Sequence, residues 1–146
     1  MKRVLKEIPL SEICLRKFEK PSQDIDDVLR KFCISIGLLQ KGDSRDSIID
    51  VLKILLIAKR DKKLLSSEEI KSELDKIRNE KIASSNVRRH LLRLRQIGIV
   101  EEIKNKYRIK EFLKLREIFE NYIEKFIIEP TTQRIKEYCD EIDKNF

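Results

Sequence analysis

The stretch from Ser84 to Lys110, SSNVRRHLLRLRQIGIVEEIKNKYRIK, limits the possible folds more than any other part of the chain. Its apolar residues recur at helical spacing as far as Leu94, a glycine follows at position 98, and two short β-type runs then flank Lys104-Asn105-Lys106. A helical period that gives way to strand-like runs across a glycine predicts a helix leading into a hairpin. A two-stranded ribbon is only marginally stable alone, so this one needs helices to pack on. The charge of the unit is also unusual. Residues 79–110 carry nine Lys or Arg against three Asp or Glu, whereas the other 114 residues carry 24 against 23. Nearly all of the net charge of +7 therefore falls on one supersecondary unit. That is the electrostatic footprint expected of a module that binds a nucleic-acid duplex.

Elsewhere the pattern is helical. The chain has only three glycines and three prolines in 146 residues, and Leu, Ile, Lys and Glu dominate, so a mainly α architecture is expected. Residues 1–42 read as a helical arm in two pieces. Ser11 caps a short helix to Phe18, Pro21 interrupts, and Ile25, Val28, Leu29, Phe32 and Ile36 share one face of a second helix that stops at Gly37. Residues 43–110 read as the central unit. In it, Asp43 or Ser44 caps a helix whose inward stripe is Ile48, Leu52, Leu55 and Leu56, widened by Ile49 and Ile57. This helix should be the most buried element. Leu64 and Leu65 suit a minimal strand, and Ser66-Ser67-Glu68-Glu69 fits a capping box ahead of a helix carrying Ile70, Leu74 and Ile77. Ser84 is the expected cap of the cationic helix.

Residues 111–146 read as two C-terminal helices. Phe112, Leu115, Phe119, Tyr122 and Phe126 follow a 3-4-3-4 spacing over 111–128, a heptad seam expected to pair with a second copy and make a homodimer. Folding back on the core is the other reading of that seam. Pro130 is expected to break the helix before a last one with Ile135, Tyr138, Ile142 and Phe146 on its apolar face.

On a helical wheel, Val87, Leu91 and Leu94 fall on one face of the cationic helix with His90 at its edge. Ser85, Arg89, Leu92, Arg93 and Gln96 fall opposite, with Ser84 and Asn86 near the start and Arg88 and Arg95 on a flank. Arginine pairs bidentately with guanine edges, Asn and Gln with adenine, and Ser with phosphate or base. This mix suits a helix lying in a major groove. Lys104, Lys106 and Arg108 on the hairpin are placed to meet flanking phosphates.

The order helix, minimal strand, helix, helix, hairpin resembles a winged helix-turn-helix of the MarR-like, ArsR-like and archaeal regulator type. The residues that carry the likeness are Ser66-Ser67-Glu68-Glu69-Ile70 and Val87-x3-Leu91-x2-Leu94-x3-Gly98-Ile99-Val100, within about 44–110. The resemblance implies a mainly α fold with a small β-hairpin, flanked by N- and C-terminal helices, that regulates transcription by binding double-stranded DNA. It places Ser85, Asn86, Arg89 and Arg93 at the major groove and Lys104 and Lys106 on phosphate. Leu92 departs from the polar pattern, either to meet a thymine methyl or to pack on a flanking helix. The alternative is an assembly module of the same fold that contacts proteins and not nucleic acid.

No catalytic role suggests itself. The sequence has no glycine-rich phosphate loop or nucleophile signature, and the lone His90 has no ligand or triad partner near it in sequence. Cys14, Cys33 and Cys139 are odd in number and far apart, which fits reduced thiols and no metal site. No apolar run is long enough to span a bilayer and the start lacks a signal-type core, so a cytoplasmic protein without a cofactor is expected.

Overall fold

The structure, a computed structural model, describes residues 20–39 and 46–146. The readings of Ser11 to Phe18, of Cys14, and of Asp43 or Ser44 as a cap lie outside the described residues. In the described part, helix α1 (Ile25–Ser35) starts at Asp24, whose carboxylate accepts the Asp26 amide. It ends where Gly37 turns left-handed at φ 81°. There the Leu38 amide bonds back to the Cys33 carbonyl and the Gly37 amide to Ile34, so two carbonyls at the end of the helix keep partners.

Helix α2 (Ser47–Arg60) buries Ile48, Ile49, Val51, Leu52, Ile54, Leu55 and Ala58. An apolar surface this wide has to be enclosed on several sides. Helix α1, helix α3 (Ser67–Arg78), helix α4 (Ser84–Gln96) and the central strand of a small sheet supply the enclosure. The widening differs from expectation, because Ile57 is exposed while Val51 and Ile54 are buried. The charged start of α2 is held as well. Asp46 accepts from Arg30 of α1 at 3.2 Å and from Arg78 at the end of α3 at 2.9 Å, and Arg78 also reaches Asp50 at 2.9 Å. Asp46 therefore joins three helices and does not cap its own.

The sheet is antiparallel in the order β1-β3-β2, with β1 (Leu65–Ser66), β2 (Val100–Ile103) and β3 (Lys106–Ile109). Its register sets Leu65 opposite Tyr107, Val100 opposite Ile109 and Ile103 opposite Lys106. The hairpin turn is Lys104-Asn105, both with positive φ (51° and 66°), the mirror-image turn whose twist matches that of paired strands. Ser66 ends β1 and caps α3: its hydroxyl accepts the Glu69 amide at 3.1 Å while the Glu69 carboxylate accepts the Ser66 amide at 3.0 Å. Both halves of the expected capping box are present.

The C-terminal part departs from the sequence reading in two places. Phe112 belongs to a 3-10 turn, Lys110–Phe112, with φ 54°, and not to a helix; the helix begins only at α5 (Leu115–Ile118). Lys59 of α2 fixes this entry by donating to the Leu113 carbonyl at 3.1 Å. Pro130 does not break the helix. A π-helical stretch, Phe119–Ile128, runs directly into α6 (Glu129–Asn145), and the Glu129 amide bonds to the Glu124 carbonyl five residues back. A proline ring in a regular helix collides with the carbonyl four residues earlier, and a wider turn makes room for it. Ile118 and Ile123 drop into the same core as α1 to α4.

The backbone turns allow a paired stability test. Gly98 sits at φ 92°, and a Cβ there would meet only the Tyr122 Cβ at 4.0 Å, so Gly98→Ala loses stability through backbone strain alone, by at least ~1 kcal/mol. Lys62 ends α2 with φ 51°, and Lys62→Gly should gain about 0.5–1 kcal/mol. Urea midpoints that move in opposite directions for the two variants are the expected result.

Candidate nucleic-acid interface

Helix α4 presents a buried and an open face. Val87, Leu91 and Leu94 are buried, as the wheel predicts, while Ser84, Ser85, Arg88, Arg89, Leu92, Arg95 and Gln96 are exposed. Ser84 is the first helical residue and not the cap. Ala83 stands at the cap position, so among the described residues no side chain caps the first amides. The other end is closed tightly. The Ile99 amide bonds to the Leu94 carbonyl at 3.1 Å and the Gly98 amide to Arg95 at 3.0 Å. Leu94 and Ile99 are both fully buried, and the hydrophobic contact that accompanies such a turn sets the chain's exit into β2.

The cations of this unit divide into two groups, a distinction that spacing alone does not reveal. Arg93, expected on the outer face, is half-buried and donates to the Gly37 carbonyl at 3.0 Å, which pins α1 to α4. Arg108, expected on phosphate, is half-buried between the Glu101 carboxylate at 2.7 Å and the Phe112 ring at 4.7 Å. Arg95 lies 3.5 Å from Glu102. Lys110 stacks over the Tyr122 ring at 4.1 Å and ties the hairpin to the C-terminal helix. These four cations hold the hairpin and the arm in place. Burial raises the Glu101 carboxyl, but the Glu111 amide and Arg108 outweigh it and hold the group below the usual carboxylate range. Tyr107 is shifted up, by burial first and then by its hydrogen bond to Glu102.

The second group faces water. Lys81 ahead of α4, Arg88 and Arg89 on α4, and Lys104 and Lys106 on the hairpin are exposed, and among the described residues Arg89 bonds only to the Asn86 side-chain oxygen beside it. Both hairpin acids face Arg108 or Arg95, so the hairpin's own negative charge is answered within the fold. Ser85, Gln96 and the partly exposed Asn86 add polar groups to the open side of α4. Leu92 is 47% exposed and packs on no flanking helix strongly enough to be covered. Of the expected site, Ser84, Ser85, Asn86, Arg88, Arg89, Gln96, Lys104 and Lys106 remain available, while Arg93 and Arg108 are committed internally.

The seam expected to form an interface is mostly covered. Leu115, Phe119 and Tyr122 pack against the core, Phe112 lies under Arg108, and only Phe126 is largely exposed, at 64%. Among the described residues no group of three metal-binding side chains occurs, and no helix is long and apolar enough to cross a membrane.

The single histidine joins two helices. Its Nε2 lies 2.8 Å from the Ser47 hydroxyl at the start of α2, and its Nδ1 is buried with no hydrogen-bond partner among the described residues. Burial, reinforced by Arg89 and Arg93, pulls His90 from 6.5 down to about 4. The folded state therefore prefers neutral histidine. Its stabilising preference is complete above the unfolded value and is lost as pH falls from about 6.5 towards 4. Denaturation midpoints should drop between pH 6.5 and 5, before the carboxylates titrate, and His90→Gln should flatten that part of the profile. An unchanged slope in the variant would assign the loss to other groups.

Comparisons with protein-family models, with curated proteins and with solved structures found no match for this chain, so its function has to be argued from residues and geometry.

Proposed function

We propose that the chain is a double-stranded DNA-binding regulator of transcription with a winged helix-turn-helix as its core. In this reading α3 and α4 form the helix-turn-helix, α4 enters the major groove, and the β2-β3 hairpin is a short wing resting on the phosphate backbone. The observation that carries it is the division of the cations. Within the basic unit, Arg93, Arg108 and Lys110 are half-buried in contacts within the fold and Arg95 is exposed beside Glu102, while Arg88, Arg89, Lys104 and Lys106 stand exposed on the helix and the hairpin that follows it.

The chemistry of each group fits a role. Arg89 and Gln96 supply donors and acceptors for base edges, and exposed Leu92 offers an apolar contact for a thymine methyl. Arg88, Lys104 and Lys106 supply charge for phosphates, and the uncapped amides at the start of α4 add positive partial charge beside Ser84 and Ser85. A two-residue turn limits how far the hairpin projects, so the wing grips the backbone and does not probe deep into the minor groove.

If each chain contacts three or four phosphates, log K should fall with log salt at a slope of about −3 per chain. Arg88→Ala with Arg89→Ala should weaken duplex binding at least tenfold in gel shift or fluorescence anisotropy without moving the thermal midpoint. Arg93→Ala should act mainly on stability, because it releases the Gly37 carbonyl. Unchanged affinity in the Arg88/Arg89 double variant would reject the reading in favour of a protein-assembly module whose arginines are merely solvated.

A further inference from the structure

We infer that α6 is an interface: it pairs antiparallel with α6 of a second copy of this chain. Every residue from 129 to 146 is exposed, so none of the described residues covers the helix. Yet it is not a polar helix. Ile135, Tyr138 and Ile142 are 55%, 60% and 57% exposed, and with Thr131 they repeat at 4, 3, 4 along one side. Phe126 lies just before them and Phe146 just after. A 17-residue helix without tertiary packing is marginal in water, and what normally secures such a helix is coverage of its apolar face.

The apolar area suits a second copy. A full aromatic side chain offers about 150–250 Å². Three aromatics and two isoleucines, each more than half exposed, thus bring each chain to the order of the ~800 Å² that one partner contributes to a stable interface. At the root of the helix a groove of about 570 Å³ is bordered by Phe126, Pro130, Ile135 and Tyr138 and by Gln96 of α4.

Charge selects the direction. Residues 129–136 carry Arg134 and Lys136 against Glu129, while residues 137–145 carry Glu137, Asp140, Glu141 and Asp143 against Lys144. Parallel pairing would stack the acidic ends on each other. Antiparallel pairing sets the basic half of one helix on the acidic half of the other and also opposes the helix dipoles. In that arrangement Ile135 meets Tyr138 of the second copy, Thr131 meets Ile142, and Arg134 flanks Glu141. The intrachain pairs Arg134–Glu137 at 3.5 Å and Lys144–Glu141 at 3.7 Å are exposed and compete weakly. The proposed interface keeps only Phe126 of the seam that the heptad spacing suggested, because Leu115, Phe119 and Tyr122 turn inward.

The test is solution mass, measured without nucleic acid so that it is separate from the DNA reading. Sedimentation equilibrium at tens of micromolar should give twice the 17.4 kDa chain mass. Ile135→Glu with Ile142→Glu should give the monomer mass while the amide spectrum of residues 47–123 is unchanged. A monomeric parent chain, or a double variant that stays dimeric, overturns the proposal. Orientation is read from charge reversal. Arg134→Glu and Glu141→Arg should each weaken dimerisation several-fold, and the two combined should restore it; a combined variant no better than the singles overturns the antiparallel arrangement.

Discussion

A helix that is apolar around most of its circumference cannot lie at a surface, and α2 is such a helix. Its seven buried side chains dictate that α1, α3, α4 and β3 surround it, and each fully buried Leu or Ile contributes about 1.5–3 kcal/mol to keeping them there. The polar features of the structure are arranged around this requirement. Asp46 and Asp50 gather Arg30 and Arg78 at one end of α2, and Lys59 secures the Leu113 carbonyl at the other. Once α2 is enclosed, α4 has one face committed to it and one face left for water. The proposed site is that second face.

Much of this was legible in the sequence because local physics determined it. The capping box at Ser66, the glycine reversal at 98, the hairpin and the inward stripe Val87-Leu91-Leu94 depend on residues within a few positions of each other. The contacts that the sequence does not reveal are those decided across the fold. The reach of Arg93 to a carbonyl 56 residues away, the enclosure of Arg108 between Glu101 and Phe112, and the contact of His90 with Ser47 leave no periodic trace. A wheel assigns a direction to a side chain. It does not say whether another segment waits there.

Pro130 and Phe112 show the same limit in the backbone. Proline is a good stop signal for a regular helix, but a widened turn before it removes the clash, and a 3-4-3-4 spacing does not disclose that its first member sits in a separate turn. Composition was informative in a coarser way. It gave the mainly helical character correctly and located the positive charge, but only the tertiary pairs separate cations that build the fold from cations that are free to act.

The π-helical stretch sets the phase of the whole C-terminal rod. Ile118 just ahead of it and Ile123 within it are buried in the body, and beyond it Ile135, Tyr138 and Ile142 look out to solvent. Widening one turn rotates everything downstream like a shim beneath a shaft. The azimuth at which the rod offers its outer stripe is thus stored in a few displaced carbonyls. Losing or gaining a single residue there would swing that stripe by about 100° without altering one of its side chains.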